Sequence, residues 1–181
     1  MARTKYGYAE SSNIKATIAG HNFDIKSDTL PIENGTLWKL GDLTQPNEIY
    51  TVTKPAKGDK IVLALSALYA YDTSTTLGQH EMFLRKEAGE VARACEIVEH
   101  DRYAVIDYMI KPLSTDTGVV VGNYVVVNDG TDGTTYQEVV KTGDVSAYGF
   151  VARVVGVEAK SNMTIVRLDV IRNAEVVADK K

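Results

Sequence analysis

The residues best able to do chemistry are scattered along this chain. His21, His80 and His100 stand far apart, and none has a second His or a Cys at the spacing with which one helix or loop clasps a metal. His100 lies between Glu99 and Asp101 and near Asp107, the one place where carboxylates could orient an imidazole for proton transfer, although charges around a His at a turn are usually just solvated. Cys95 is the only cysteine; it excludes an internal disulfide, has no His near it in sequence, and reads as a small buried hydrophobe. No Gly-x-Ser-x-Gly elbow presents a serine nucleophile. Lys57-Gly58-Asp59-Lys60 lacks the rest of a phosphate-binding loop and reads as a turn. Asn128-Asp129-Gly130-Thr131-Asp132-Gly133 offers oxygen ligands to a hard cation but lacks the EF-hand spacing and its closing Glu, so it too reads as a turn. The sequence therefore assigns no catalytic, cofactor-binding or metal-binding residue, and a non-enzymatic protein is expected.

Composition narrows the partners. A formal net charge of -4 over 181 residues argues against nucleic acid, because phosphate binding needs clustered Lys and Arg. The longest apolar run, 61–70, is too short to cross a bilayer, and the first residues lack the apolar core of a secretory leader, so a product made in the cytoplasm is expected, with no membrane partner. Asn34-Gly35-Thr36 and Asn162-Met163-Thr164 then read as turn chemistry rather than glycosylation sites.

The elements that must position any functional surface are short apolar runs punctuated by Gly, Pro, Asn and Asp, the pattern of a β protein. Ile32 to Trp38 places Asn34-Gly35 between β-forming flanks, predicting a type I′ hairpin or a tight bend. Residues 48–53 read as a strand, and 61–71 as a central strand covered on both sides. Residues 72–78 read as a polar loop. Residues 103–110 alternate, with Ala104, Ile106, Tyr108 and Ile110 on one face, and 163–171 alternate with Val166, Leu168 and Val170 opposite Arg167 and Asp169. Residues 124–127 and 135–140 flank a glycine-containing loop and predict a hairpin, and 150–157 with 163–171 predict another antiparallel pair. Over 81–99 the reading stays open. Leu84, Ala88, Val91, Cys95 and Val98 have helical spacing, but Gly89 interrupts the segment and 90–98 also fits a strand.

The expected fold is mainly β: compact antiparallel sheets or a barrel-like sandwich, with at most one or two short helices and an extended N-terminal arm. The arm covers 1–25, and the body 26–181 has a possible lobe boundary near 78–89. Ten tyrosines against three phenylalanines suit a wet assembly surface. Arg3, Lys5, Tyr6 and Tyr8 in the arm, together with Trp38, are the candidate protein–protein contacts.

Ile32-Glu33-Asn34-Gly35-Thr36-Leu37 followed by Gly41, then Arg102 to Tyr108, then Val121-Gly122-Asn123-Tyr124-Val125, resembles the small head-decoration proteins of tailed phages infecting Gram-positive hosts, over about Leu30 to Val127. The tail from Tyr136 to Lys181 departs from the smallest of those proteins. The resemblance implies a β body seated in multiple copies, or as a homo-oligomer, on the outside of an assembled capsid. Its partner there would be the major capsid protein, and occupying sites formed only by the shell would stabilise it. The protein would then reside on the virion surface. The alternative is a tail, neck or host-surface recognition module of a phage.

Overall fold

In a computed structural model the described residues are 7–16, 20–44, 48–66, 85–112, 118–128, 138–141, 143–160 and 163–176. The chain is mainly β, and its described residues form two sheets and a two-stranded ribbon. Strands β2 (Asn22–Lys26), β4 (Leu37–Thr44), β5 (Ile49–Thr53), β6 (Val62–Ala64) and β8 (Val91–Glu96) close a barrel in the order β2-β5-β4-β6-β8. A second sheet runs β1-β9-β14-β13-β11-β12-β10, from β1 (Ala9–Asn13), β9 (Arg102–Ile106), β10 (Ile110–Lys111), β11 (Tyr124–Val127), β12 (Glu138–Lys141), β13 (Phe150–Lys160) and β14 (Met163–Asn173). The ribbon pairs β3 (Ile32–Glu33) with β7 (Arg85–Lys86).

Alternation fills the barrel from one set of side chains and leaves another set pointing out. Ile25, Trp38, Val52, Val62, Ala64, Ala92 and Ala94 form its interior. The rung Leu37, Leu63 and Cys95, paired across β4, β6 and β8, faces outward. It joins the main core with Tyr103, Val105, Val166, Leu168, Val154 and Ala152 of the large sheet. One continuous apolar layer therefore lies between the two bodies, and the barrel's outer wall serves as part of the sheet's core.

The large sheet must curl. β9 is second in its order and β10 last, yet only the single-turn 3-10 helix Asp107–Met109 separates them in sequence. Laid flat, five interstrand steps of about 4.8 Å would hold them roughly 24 Å apart. The step from Ile106 to Ile110 spans at most about 14 Å. Register shifts between Val151 and Ala152 and between Val154 and Gly156 let the long β13–β14 ribbon coil to fit.

Polar side chains stitch the chain around the junction, Asn173 across the two bodies and Asn34 and Asp101 each within one of them. Asn34 donates from Nδ2 to the Ser66 carbonyl (3.0 Å) and accepts at Oδ1 from the Ser66 amide (2.8 Å). Asn173 accepts from the Ile61 amide (2.9 Å) and donates to the carbonyls of Ile61 (2.8 Å) and Ile97 (2.7 Å). Asp101, 4% exposed, accepts from the amides of Lys15 and Val98. At Gly149 three backbone segments converge so tightly that a Cβ would lie 2.3 Å from the Asp59 carbonyl oxygen and 2.7 Å from that of Ala174.

Of the two alternatives at Asn34-Gly35 the tight bend is the one formed: β3 pairs with β7 and β4 with β5 and β6, Gly35 has φ +83°, and Asn34 does not have positive φ. Several other expectations change in detail. Residues 103–106 are all buried rather than alternating, in a strand that runs inside the sheet between β1 and β14, and the 3-10 turn breaks the alternation before Tyr108. The strand expected over 61–71 is limited to Val62–Ala64 among the described residues; 67–71, the loop 72–78 and the turn 129–133 lie outside them. Between 85 and 99 the chain forms two strands separated by a turn at Ala88 and Gly89, where φ is +88°, so helical spacing there does not make a helical face. From Gly7 the expected arm is built into the body, because β1 pairs with β9 and Ala9 and Ile14 are buried. The chain crosses from barrel to large sheet over 97–101; of the possible boundary at 78–89, only 85–89 are described.

Removing either asparagine takes a partner from partly buried backbone groups. Asn34→Ala and Asn173→Ala should each lower unfolding free energy by about 2 kcal/mol in denaturant titrations. A loss under about 0.5 kcal/mol for both would contradict the stitching role.

Candidate functional site

Two surface features stand out. The first is an open cleft of about 440 Å³ where the barrel meets the end of β14, lined by Phe23, Leu40, Val62 and the charged Lys39, Lys60, Glu96 and Glu175. β2 and β4 supply its apolar wall, and Phe23 is held edge-on against Tyr50 with centroids 5.6 Å apart. Its charges are mostly paired. Glu96 accepts from Lys60 Nζ (2.6 Å) and lies 3.2 Å from His21 Nδ1, while Lys39 Nζ bonds Asp59 (2.7 Å). The Lys60 hydrogen bond is the main cause that holds the Glu96 carboxyl below its ordinary value, and the Asp59 bond raises the Lys39 amine. The cleft thus presents an apolar wall and a rim of neutralised charge, which suits a neutral polar ligand better than an ion.

The second is an apolar tip. Val120 and Val121 are 49% and 56% exposed in a turn closed by the Asn123 amide on the Val120 carbonyl, with Gly122 at φ +95°. The Gly122 amide bonds the Val154 carbonyl (2.8 Å), and the Val154 amide bonds Asn123 (2.9 Å), which sets the turn beside the bulge that carries Val155, 46% exposed. Turns favour Gly, Pro, Asn, Asp and Ser, and a β-branched pair at a tip gains nothing for folding. Three exposed valines together therefore form a contact surface candidate.

The sites expected from sequence fare differently. Trp38, 1% exposed, lies inside the barrel with Nε1 donating to Thr36 Oγ1 (2.7 Å), so it is a core residue and not a surface contact. Tyr8 is half-buried and bonds Glu10 through its hydroxyl; Arg3, Lys5 and Tyr6 lie outside the described residues. Much of the tyrosine excess is internal: Tyr103 and Tyr148 are buried, and Tyr50, Tyr108 and Tyr124 pack against the cores. His100 occupies a strained turn at φ +71° with an exposed side chain, and both oxygens of the neighbouring Asp101 carboxylate serve backbone amides. Cys95 is buried, and desolvation pushes its thiol up to about 12. Residues 57–60 do form a turn, with the Asp59 amide on the Ala56 carbonyl. Among the described residues no group of three or more His, Cys, Asp or Glu could hold a metal ion, and no helix is long and apolar enough to cross a membrane.

Sequence reading passed over the valine tip because Val121-Gly122-Asn123-Tyr124 looked like the run into a strand; the signal available was a β-branched pair directly before a turn glycine. In comparisons with known proteins, no family model matches this chain and no curated protein or solved structure is similar to it.

The Glu96 cluster has a defined pH signature. Because the folded carboxyl sits below its ordinary value of 4.5, its contribution is present above that value and disappears as pH falls through the folded value. The partners are largely solvent-exposed, so the effect is about 0.5 kcal/mol. Melting curves of Glu96→Gln should lie slightly below the parent at neutral pH and converge with it in acid; a constant offset at every pH would contradict this.

Proposed function

We propose that this chain is a structural, non-enzymatic subunit of a tailed-phage particle that binds the outside of the assembled capsid and stabilises the shell. The observation that carries the reading is the use made of Glu33-Asn34-Gly35-Thr36, part of the first of the three stretches that carry the resemblance to head-decoration proteins. It is a wholly buried polar turn at the junction of the two bodies. Its role is structural, and it leaves the exterior for contact. The tip of Val120, Val121 and Val155 supplies an apolar contact of the kind that a coat surface would cover. Attachment at sites that exist only in the assembled shell favours the shell over free subunits by mass action, and many weak copies act together.

The test is co-sedimentation with assembled shells and with isolated major capsid protein. Binding to shells alone is expected, and equal binding to both contradicts the reading. Val121→Asp and Val155→Asp should weaken shell binding about tenfold or more while leaving unfolding free energy within about 0.5 kcal/mol of the parent.

The cleft beside Phe23 favours a second reading, a tail, neck or host-surface module that takes a neutral polar ligand such as a saccharide. Retention on host cell wall, abolished by Phe23→Ala and unaffected by Val121→Asp, distinguishes it.

A further inference from the structure

We propose that Asn34 is a latent deamidation site, silent in the folded protein and open whenever the chain unfolds, so that conversion at this position is a one-way block to refolding. This is independent of what the subunit binds. Asn34-Gly35 is the only Asn-Gly pair in the sequence. Glycine after asparagine removes the side chain that would otherwise obstruct attack of the backbone nitrogen on the amide. In that reaction the Gly35 nitrogen, losing its proton to solvent base, forms a bond to Asn34 Cγ. The Cγ–Nδ2 bond breaks, the side-chain nitrogen leaves as ammonia, and a cyclic imide remains. Water then opens the imide at either carbonyl, giving aspartate or isoaspartate; overall one water is consumed and one ammonia released.

The folded geometry blocks each requirement. Asn34 is 3% exposed, and both polar atoms of its amide are held by the Ser66 backbone, away from Gly35. The Gly35 amide donates to the Ala64 carbonyl at 2.8 Å, so the nucleophile is occupied. Gly35 itself is wedged so closely that an added Cβ would stand 3.0 Å from Val105 Cγ1 and 3.2 Å from Ala9 Cβ, leaving no room for the turn to rotate into the attacking conformation.

The product does not fit the place it came from. Aspartate replaces the donor facing the Ser66 carbonyl with an acceptor, and it adds a carboxylate next to Glu33, which is 8% exposed and bonded to the Gly7 amide. Isoaspartate lengthens the backbone of the turn by one carbon and displaces Gly35 from its slot.

The experiment holds the full chain in mildly alkaline buffer, native in one arm and in guanidinium in the other, and follows each asparagine by peptide mapping with isoaspartate labelling. In guanidinium, Asn34 should convert faster than every other asparagine. In the native arm its rate should fall on the order of a thousandfold or more, tracking the unfolded population. On dilution from guanidinium, the unconverted chains should refold and the converted ones should not. Asn34→Asp, made directly, should melt below the parent or fail to fold. Comparable native and unfolded rates, no preference for Asn34 in guanidinium, or converted chains that refold like the parent would each overturn the proposal.

Discussion

The structure depends on a polar turn placed where apolar packing would be the default. Glu33, Asn34 and Thr36 are all buried, and each is hydrogen-bonded to backbone or to a core side chain. A buried polar group without partners costs free energy, so a turn of this kind is stable only in one arrangement of everything around it. Gly35 donates to the end of β6 and lies against β1 and β9, and Trp38 hangs into the barrel from the Thr36 hydroxyl. The turn therefore fixes the barrel, the N-terminal strand and the curled sheet relative to one another.

Apolar packing supplies the driving force around that node, and the polar clasps supply the specificity. The rung Leu37, Leu63 and Cys95 belongs to the barrel backbone but to the sheet's core, so the sheet does not complete its core alone. Asn173, at the end of β14, bonds Ile61 and Ile97 beside the barrel strands β6 and β8, and Asp101 ties the segment after β1 to the start of β9. A body made this way holds its surface features, the valine tip and the barrel cleft, in fixed relation.

Much of this was legible in the sequence because β alternation is a local signal. The pairing of β13 with β14 followed from the alternation of 163–171 and its opposite run at 150–157, and the β11–β12 hairpin from its intervening glycines. What stayed hidden depends on contacts distant in sequence. That β9 is an interior strand follows from β1, some ninety residues earlier, pairing along its edge. That Asn34-Gly35 is a bend follows from β3 and β4 having separate partners, and a type I′ and a type II turn read alike in residue type at this pair. Trp38 looked like a contact residue because an indole serves an interface and a core equally well; only the barrel's closure decides between them. The candidate site was barely legible, since the exposure of Val120 and Val121 depends on hydrogen bonds to β13.

Native-state hydrogen exchange tests most directly whether barrel and sheet are one cooperative unit held at the buried turn. The amides of Gly35, Ala64 and Ser66 at the junction, Ala94 in the barrel and Val166 in the sheet should all exchange with the free energy of global unfolding. Barrel amides that exchange through a separate, lower-energy opening while those of the sheet remain protected would contradict the account.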